Sequence, residues 1–119
     1  MLDIFQEAMK AFPPGANLPG TGYTIKRFGK TRGGDAIVYF IPNRVNPKKP
    51  YQKRFAASDL QRAYEQLLST GQFTRVWFSS GMKECAKDGP CNFLAMGAIF
   101  VGLKLADKEP GVFTLRGPS

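Results

Sequence analysis

A segment near the end of the chain, Phe93 to Ala106, is apolar on almost every side and restricts the fold more than any other stretch. Lys104 is its only charged residue. Its fourteen residues are too few to cross a bilayer, and a helix that is apolar all round must be covered by protein. We therefore expect a buried core helix capped by Asn92, with an interface between two copies of the chain as the alternative.

The remaining apolar patterns predict two further helices and several short strands. Apolar residues at helical spacing run from Leu2 to Phe12, where Pro13 ends the helix. A capping box of Ser58 and Gln61 indicates a second amphipathic helix that ends at Gly71. The predicted strands are Tyr23–Phe28, Ala36–Ile41, Lys53–Ala56, Gln72–Phe78 and Gly111–Arg116.

These elements follow one another without a regular βαβ repeat, which favours an α+β fold with a small, mostly antiparallel sheet and about three helices. Residues 1–119 suit one compact domain, with a Pro/Gly linker at 13–22 and a basic Pro-rich loop at 42–52. A winged-helix-like arrangement is the alternative. Its weakness is that a recognition helix needs polar side chains for base edges, and the 93–106 segment has almost none.

Positive charge is concentrated between Lys26 and Arg54. The chain has a net charge of +8, and this window supplies all of it because cations and acids balance elsewhere. Such a local field attracts polyanions, so we expect nucleic acid, either DNA or RNA, held by phosphate contacts that imply no sequence specificity. The predicted contact residues are Lys26, Arg27, Lys30, Arg32, Arg44, Lys48, Lys49, Lys53 and Arg54.

The placement of these cations follows from the predicted hairpin. Because side chains alternate along a strand, Lys26 and Arg27 are expected on opposite faces. Aromatic residues are interleaved with the cations, a combination that suits single strands because exposed rings stack on bases. We expect Phe28, Phe40 and Phe55 in the core, whereas Tyr23 and Tyr51 flank loops and are the candidates for stacking.

Two readings without nucleic acid remain open for this charge. One is a solvated basic face that binds nothing. The other is a homodimeric protein-interaction module, joined through the Phe93–Ala106 helix, that directs its basic face at an acidic partner.

The residue content argues against catalysis. The chain has no histidine, which removes the most common general base and the most common metal ligand. Gly29-Lys30-Thr31 imitates the end of a phosphate-binding P-loop, but Thr24 stands where the pattern needs another glycine. No Asp-x-Lys or Glu-x-Lys pair of a metal-dependent nuclease occurs. We predict a protein that is not an enzyme and uses no cofactor and no metal.

Cys85 and Cys91 lie in a polar segment that is predicted to be a loop. We expect both as free thiols in a reducing compartment, with a loop disulfide as the alternative. The chain shows neither an export leader nor an apolar run long enough to span a membrane. We therefore expect a cytoplasmic protein with no membrane partner.

Overall fold

The structure of the protein, a computed structural model, describes residues 3–31 and 34–117. These residues form two three-stranded antiparallel sheets and five helices, which confirms the α+β class. The elements in chain order are α1 (Ile4–Ala11), β1 (Thr24–Thr31), β2 (Gly34–Ile41), β3 (Tyr51–Ala56), α2 (Ala57–Thr70), β4 (Gln72–Thr74), α3 (Arg75–Gly81), α4 (Lys83–Asp88), α5 (Asn92–Gly102), β5 (Ala106–Glu109) and β6 (Val112–Leu115). Across these ranges, no helix is both long and apolar enough to cross a membrane.

The first sheet is a meander in the order β1–β2–β3. Its inner face carries Phe28, Ile37 and Phe55 in one cross-strand row, and it packs on the core. The row formed by Arg27, Val38 and Arg54 belongs to the opposite face, because neighbouring residues on a strand point to opposite sides. We call this second face the outer face.

The predicted linker at 13–22 is not a free connection, because it folds back along β1. The amide of Gly15 donates to the carbonyl of Ile25 at 2.8 Å, and the amide of Ile25 donates to the carbonyl of Ala16 at 2.9 Å. Leu18 is completely buried. Glycine and proline therefore shape a segment that covers the sheet edge rather than one that spaces two units apart.

The second half contains more helix than the sequence pattern predicts. The expected strand Gln72–Phe78 ends after Thr74, whose hydroxyl accepts the amide of Trp77 at 3.0 Å and caps α3. The expected cysteine loop contains α4 and leads directly into α5. The apolar segment also ends earlier than expected, because Leu103 caps α5 and Lys104 turns with a φ of 63° before β5 begins.

Two predicted helix caps are wrong. α2 begins at Ala57, so Ser58 lies inside its first turn, and the N-cap Ala56 receives no side-chain hydrogen bond. Asn92 does not cap α5 but is its first residue, and its buried side chain bonds instead to Tyr39 and Cys85. The side chain of Asn92 thus bonds to residues of other elements and not, as its position in the sequence had indicated, to the first amides of α5.

α5 is surrounded by its own chain, which confirms the prediction of a core helix. Its residues from Asn92 to Phe100 are buried, with Leu94 half-exposed. Gly97 leaves room for the ring of Phe113, and Gly102 leaves room for the ring of Phe12.

The order of elements from α2 to β6, with β6 between β4 and β5, follows the winged-helix alternative in outline. α5 stands at the position of the recognition helix in that order. Because it is buried and apolar, it offers no polar surface to a DNA groove.

Candidate nucleic-acid interface

The outer face of the first sheet presents two arginines in register. Arg27 on β1 and Arg54 on β3 both pair with Val38 on β2, and both are exposed. Val38 itself is buried, as expected when long basic side chains cover an apolar neighbour with their aliphatic stems. The guanidinium of Arg27 also lies over Gly29, in the space that a Cβ would occupy. Gly29 therefore makes room for a cation.

Lys26 joins the same face, which corrects the expectation that it lies opposite Arg27. A β-bulge between Ile25 and Arg27 shifts the register by one residue, so strict alternation fails there. Lys26 Nζ donates to Gln52 Oε1 at 2.7 Å and lies 5.6 Å from the ring centroid of Phe40. Three cations therefore share the outer face, and half-buried Phe40 belongs to this face instead of the core.

The basic loop between β2 and β3 lies beyond one end of the sheet. Asn43 organises the loop: its Oδ1 accepts the amides of Val45 and Asn46, both at 3.1 Å, and its Nδ2 donates to the carbonyl of Lys49 at 3.1 Å. The cations of the loop are all exposed, namely Arg44, Lys48 and Lys49. Residues 42–50 thus form a hydrogen-bonded loop that presents three positive charges.

The predicted stacking residues differ in availability. Tyr51, at the base of the basic loop, is 55% exposed. Tyr23 is half-buried, with its ring centroid 5.5 Å from that of buried Tyr39, and burial raises the pKa of its phenol. Tyr51 is therefore the more exposed of the two, but it pairs with Ile41 and so projects away from the outer face.

Three of the nine predicted cations are not among those that the structure places on the outer face or its loop. Lys53 is half-buried and pairs with Tyr39, so it projects toward the core side. Arg32 and the side chain of Lys30 lie outside the described residues.

The cations of the outer face and its loop are not neutralised by ion pairs within the described parts of the chain. The two ion pairs found there join Lys10 to Glu7 and Arg116 to Asp107. Both lie outside the basic window. The positive field that the sequence predicts therefore remains available to an external anion.

A buried polar cluster on the inner side of the first sheet has no counterpart among the predicted site residues. Tyr39 donates from its hydroxyl to Asn92 Oδ1 at 2.5 Å, and Asn92 Nδ2 donates to the carbonyl of Cys85 at 3.2 Å. Burial is the main reason that the pKa of the Tyr39 phenol is raised. Burial, with the charge of Asp59, also raises the pKa of the Cys85 thiol to about 12. The available signal was Asn92, an amide at the start of an otherwise apolar segment.

A half-open pocket of about 180 Å3 adjoins this cluster where β2, β3 and α2 meet. It lies beside Arg54, so it borders the outer face. Its lining residues are Ala36, Arg54, Phe55, Ala56, Asp59, Cys85, Asp88 and Asn92.

The cysteines and acids of the described chain show neither a disulfide nor a metal cluster. Cys85 and Cys91 are both free thiols, and within residues 3–31 and 34–117 no group of three cysteine or acidic side chains is placed to hold a metal ion. Arg75, an exposed cation outside the basic window, lies 4.7 Å from the ring centroid of Phe93 and anchors α3 to the core.

Comparison of the chain with protein-family models, curated proteins and solved structures finds no match.

Proposed function

We propose that this protein binds nucleic acid without catalysis, through phosphate contacts from the outer face and the basic loop. The observation that carries the proposal is the placement of Lys26, Arg27 and Arg54 on one sheet face, where none of the ion pairs found among the described residues involves them. The exposed loop cations extend this surface past the β2–β3 end. Phosphate contacts of this kind provide affinity and position but do not read sequence.

The length of the surface is suited to several phosphates. From the row of Phe40 and Gln52 to the row of Ala36 and Ala56 the sheet extends roughly 13 Å at about 3.3 Å per residue. One strand of B-form DNA advances about 3.4 Å per phosphate, so the sheet alone spans about four phosphates.

A pair of charge-matched double variants tests this proposal. Arg27→Gln/Arg54→Gln removes two charges from the outer face and keeps long polar side chains, whereas Lys87→Gln/Lys108→Gln removes two exposed charges from α4 and β5. Fluorescence anisotropy with labelled single-stranded and duplex DNA and RNA at 50 mM salt measures affinity. We expect the first variant to weaken binding by about tenfold per removed cation and the second to retain most of the affinity.

Equal losses in the two variants would show that only net charge matters, and unchanged binding by the folded outer-face variant would exclude this face.

A reducing, cytoplasmic location belongs to the same proposal and is supported by the two free thiols.

A second candidate function is a protein-interaction module, favoured by the surface of α3. Val76 is 79% exposed on this helix, and it lines an open groove of about 730 Å3 together with Arg75 and Lys83. An apolar residue between two cations suits an acidic partner protein with an apolar anchor. Light scattering over a concentration series tests for a homodimer, and a stable dimer that ignores DNA and RNA would favour this function over the first.

A further inference from the structure

The pocket at the end of the outer face differs in charge from the surface that leads to it. Of its lining residues Asp59 and Asp88 are acidic, and Arg54 is the single cation. In the described chain no ion pair joins Arg54 to either acid, so donor and acceptor groups remain available side by side. A phosphate gains little here, because two carboxylates oppose it and one guanidinium attracts it.

The buried part of the pocket is already satisfied by internal hydrogen bonds. Asn92 accepts from Tyr39 and donates to the carbonyl of Cys85, so it offers little to a ligand. Asp59 accepts hydrogen bonds from the amide of Ala56 and the thiol of Cys85, yet a carboxylate has about four lone-pair sites and retains free acceptors. The groups left for a ligand are therefore the guanidinium of Arg54 and the carboxylates of Asp59 and Asp88.

The size and position of the pocket suit a single aromatic heterocycle. The pocket measures about 180 Å3 and is half-open. A cavity of about 150 Å3 holds benzene, so this pocket can take the Watson–Crick edge of a base while the rest of a purine stays at its mouth. Arg54 lines the pocket and also belongs to the outer face. A strand whose phosphates follow the outer face would therefore pass the mouth of the pocket.

We propose that this pocket receives one unstacked base of a bound single strand and favours guanine. The inference rests on the proposed function, since the outer face must first hold the strand. Guanine presents N–H donors on its Watson–Crick edge, which suit carboxylates, and the O6 and N7 acceptors, which suit an arginine. Thymine and uracil have no exocyclic amino group and fit two carboxylates poorly.

The environment of Asp59 supports this assignment. Burial raises the pKa of its carboxyl, the charge of Asp88 acts in the same direction, and Arg62 opposes them. A carboxylate that has lost water gains more from N–H donors than a fully solvated one does. An amino-bearing base supplies such donors without adding negative charge inside the pocket.

The test compares labelled twelve-residue thymidine oligonucleotides that carry guanine, cytosine, adenine or thymine at one central position, measured by anisotropy at 50 mM salt. The wild-type protein should bind the guanine oligonucleotide at least about fivefold more tightly than the all-thymine one. Asp88→Asn, at an exposed position, and Asp59→Asn/Asp88→Asn should reduce or remove this preference. Glu65→Gln, which removes an exposed acid from α2 outside the pocket, should keep it.

The outcomes separate this inference from the function on which it rests. Equal wild-type affinity for all four oligonucleotides would overturn the base pocket while leaving the phosphate-binding face in place. A guanine preference that survives in Asp88→Asn and in the folded double variant would also overturn it. If no oligonucleotide binds at low salt, the proposed function fails and this inference fails with it.

Discussion

The outer face of the first sheet and the aromatic core of the second half differ in how they depend on each residue. The core is built around Phe73, whose ring centroid lies 4.9 to 6.3 Å from those of five other aromatic residues. The outer face is a set of exposed cations that contact one another little. A change in the core should therefore alter stability, and a change on the face should alter only its charge.

The largest expected effect is truncation of the central ring. Phe73→Ala should lower the free energy of unfolding by about 3–5 kcal/mol, because it removes a fully buried ring and leaves a cavity. Urea denaturation followed by circular dichroism measures the loss. Phe73→Leu, which refills part of the space, should lose clearly less. If Phe73→Ala were as stable as the wild type, the two regions would not differ in the way described.

A smaller loss is expected from adding one methyl group on α5. Gly97→Ala places a Cβ inside the ring of Phe113, so it should destabilise the protein by about 1–3 kcal/mol. In an unobstructed helix, alanine would instead stabilise by up to about 1 kcal/mol. Gly117→Ala, where a Cβ meets no neighbouring atom, is the matched control for thermal denaturation. A stabilised Gly97→Ala would show that α5 is not packed against Phe113.

The next effect is a fall in the free energy of unfolding at alkaline pH, caused by ionisation of the Cys85 thiol. Because the folded-state pKa of this thiol is raised to about 12 from an unfolded value near 8.5, the folded protein resists its ionisation. The stability that this thiol contributes is complete below about pH 8.5 and is lost progressively as the pH rises toward 12. Urea midpoints of the wild type and Cys85→Ala between pH 7 and 10.5 measure the difference. A wild-type curve that stays parallel to that of the variant would contradict the burial of the thiol.

The smallest effect on stability belongs to the outer face. Arg27→Gln/Arg54→Gln should change the free energy of unfolding by no more than about 0.5 kcal/mol per site, since both side chains are exposed and Gln keeps part of the stem that covers Val38. Thermal denaturation measures this directly. A loss as large as that of Gly97→Ala would mean that the cations hold the sheet together, and the contrast between the two regions would fail.

The sequence was most informative where one physical effect dominates. The burial of α5 as far as Phe100 follows from the apolar surface of the 93–106 segment, and β2 follows from the apolar run at Ile37–Ile41. The concentration of charge between Lys26 and Arg54 is likewise visible in the sequence.

Features that depend on tertiary partners were not predictable. A single β-bulge places Lys26 on the same face as Arg27, and no local sequence pattern predicts that bulge. Asn92 is a residue type that often caps helices, but its side chain bonds to Tyr39 and Cys85 instead. Tyr39 lies on β2, far away in the sequence, and Cys85 lies on the preceding helix. The pocket joins Asp59 and Asp88 from two helices, so sequence spacing gives no hint that they meet.

The salt dependence of wild-type binding to duplex DNA tests the central claim most directly. If about five cations of the outer face and its loop contact phosphates, affinity should fall roughly 500-fold between 50 and 200 mM salt, by a slope of about 0.9 per contact. Anisotropy titrations across that range give the slope. A steep slope would support a polyanion-binding face, whereas no binding of either duplex or single-stranded DNA at 50 mM, or affinity that hardly changes with salt, would contradict it.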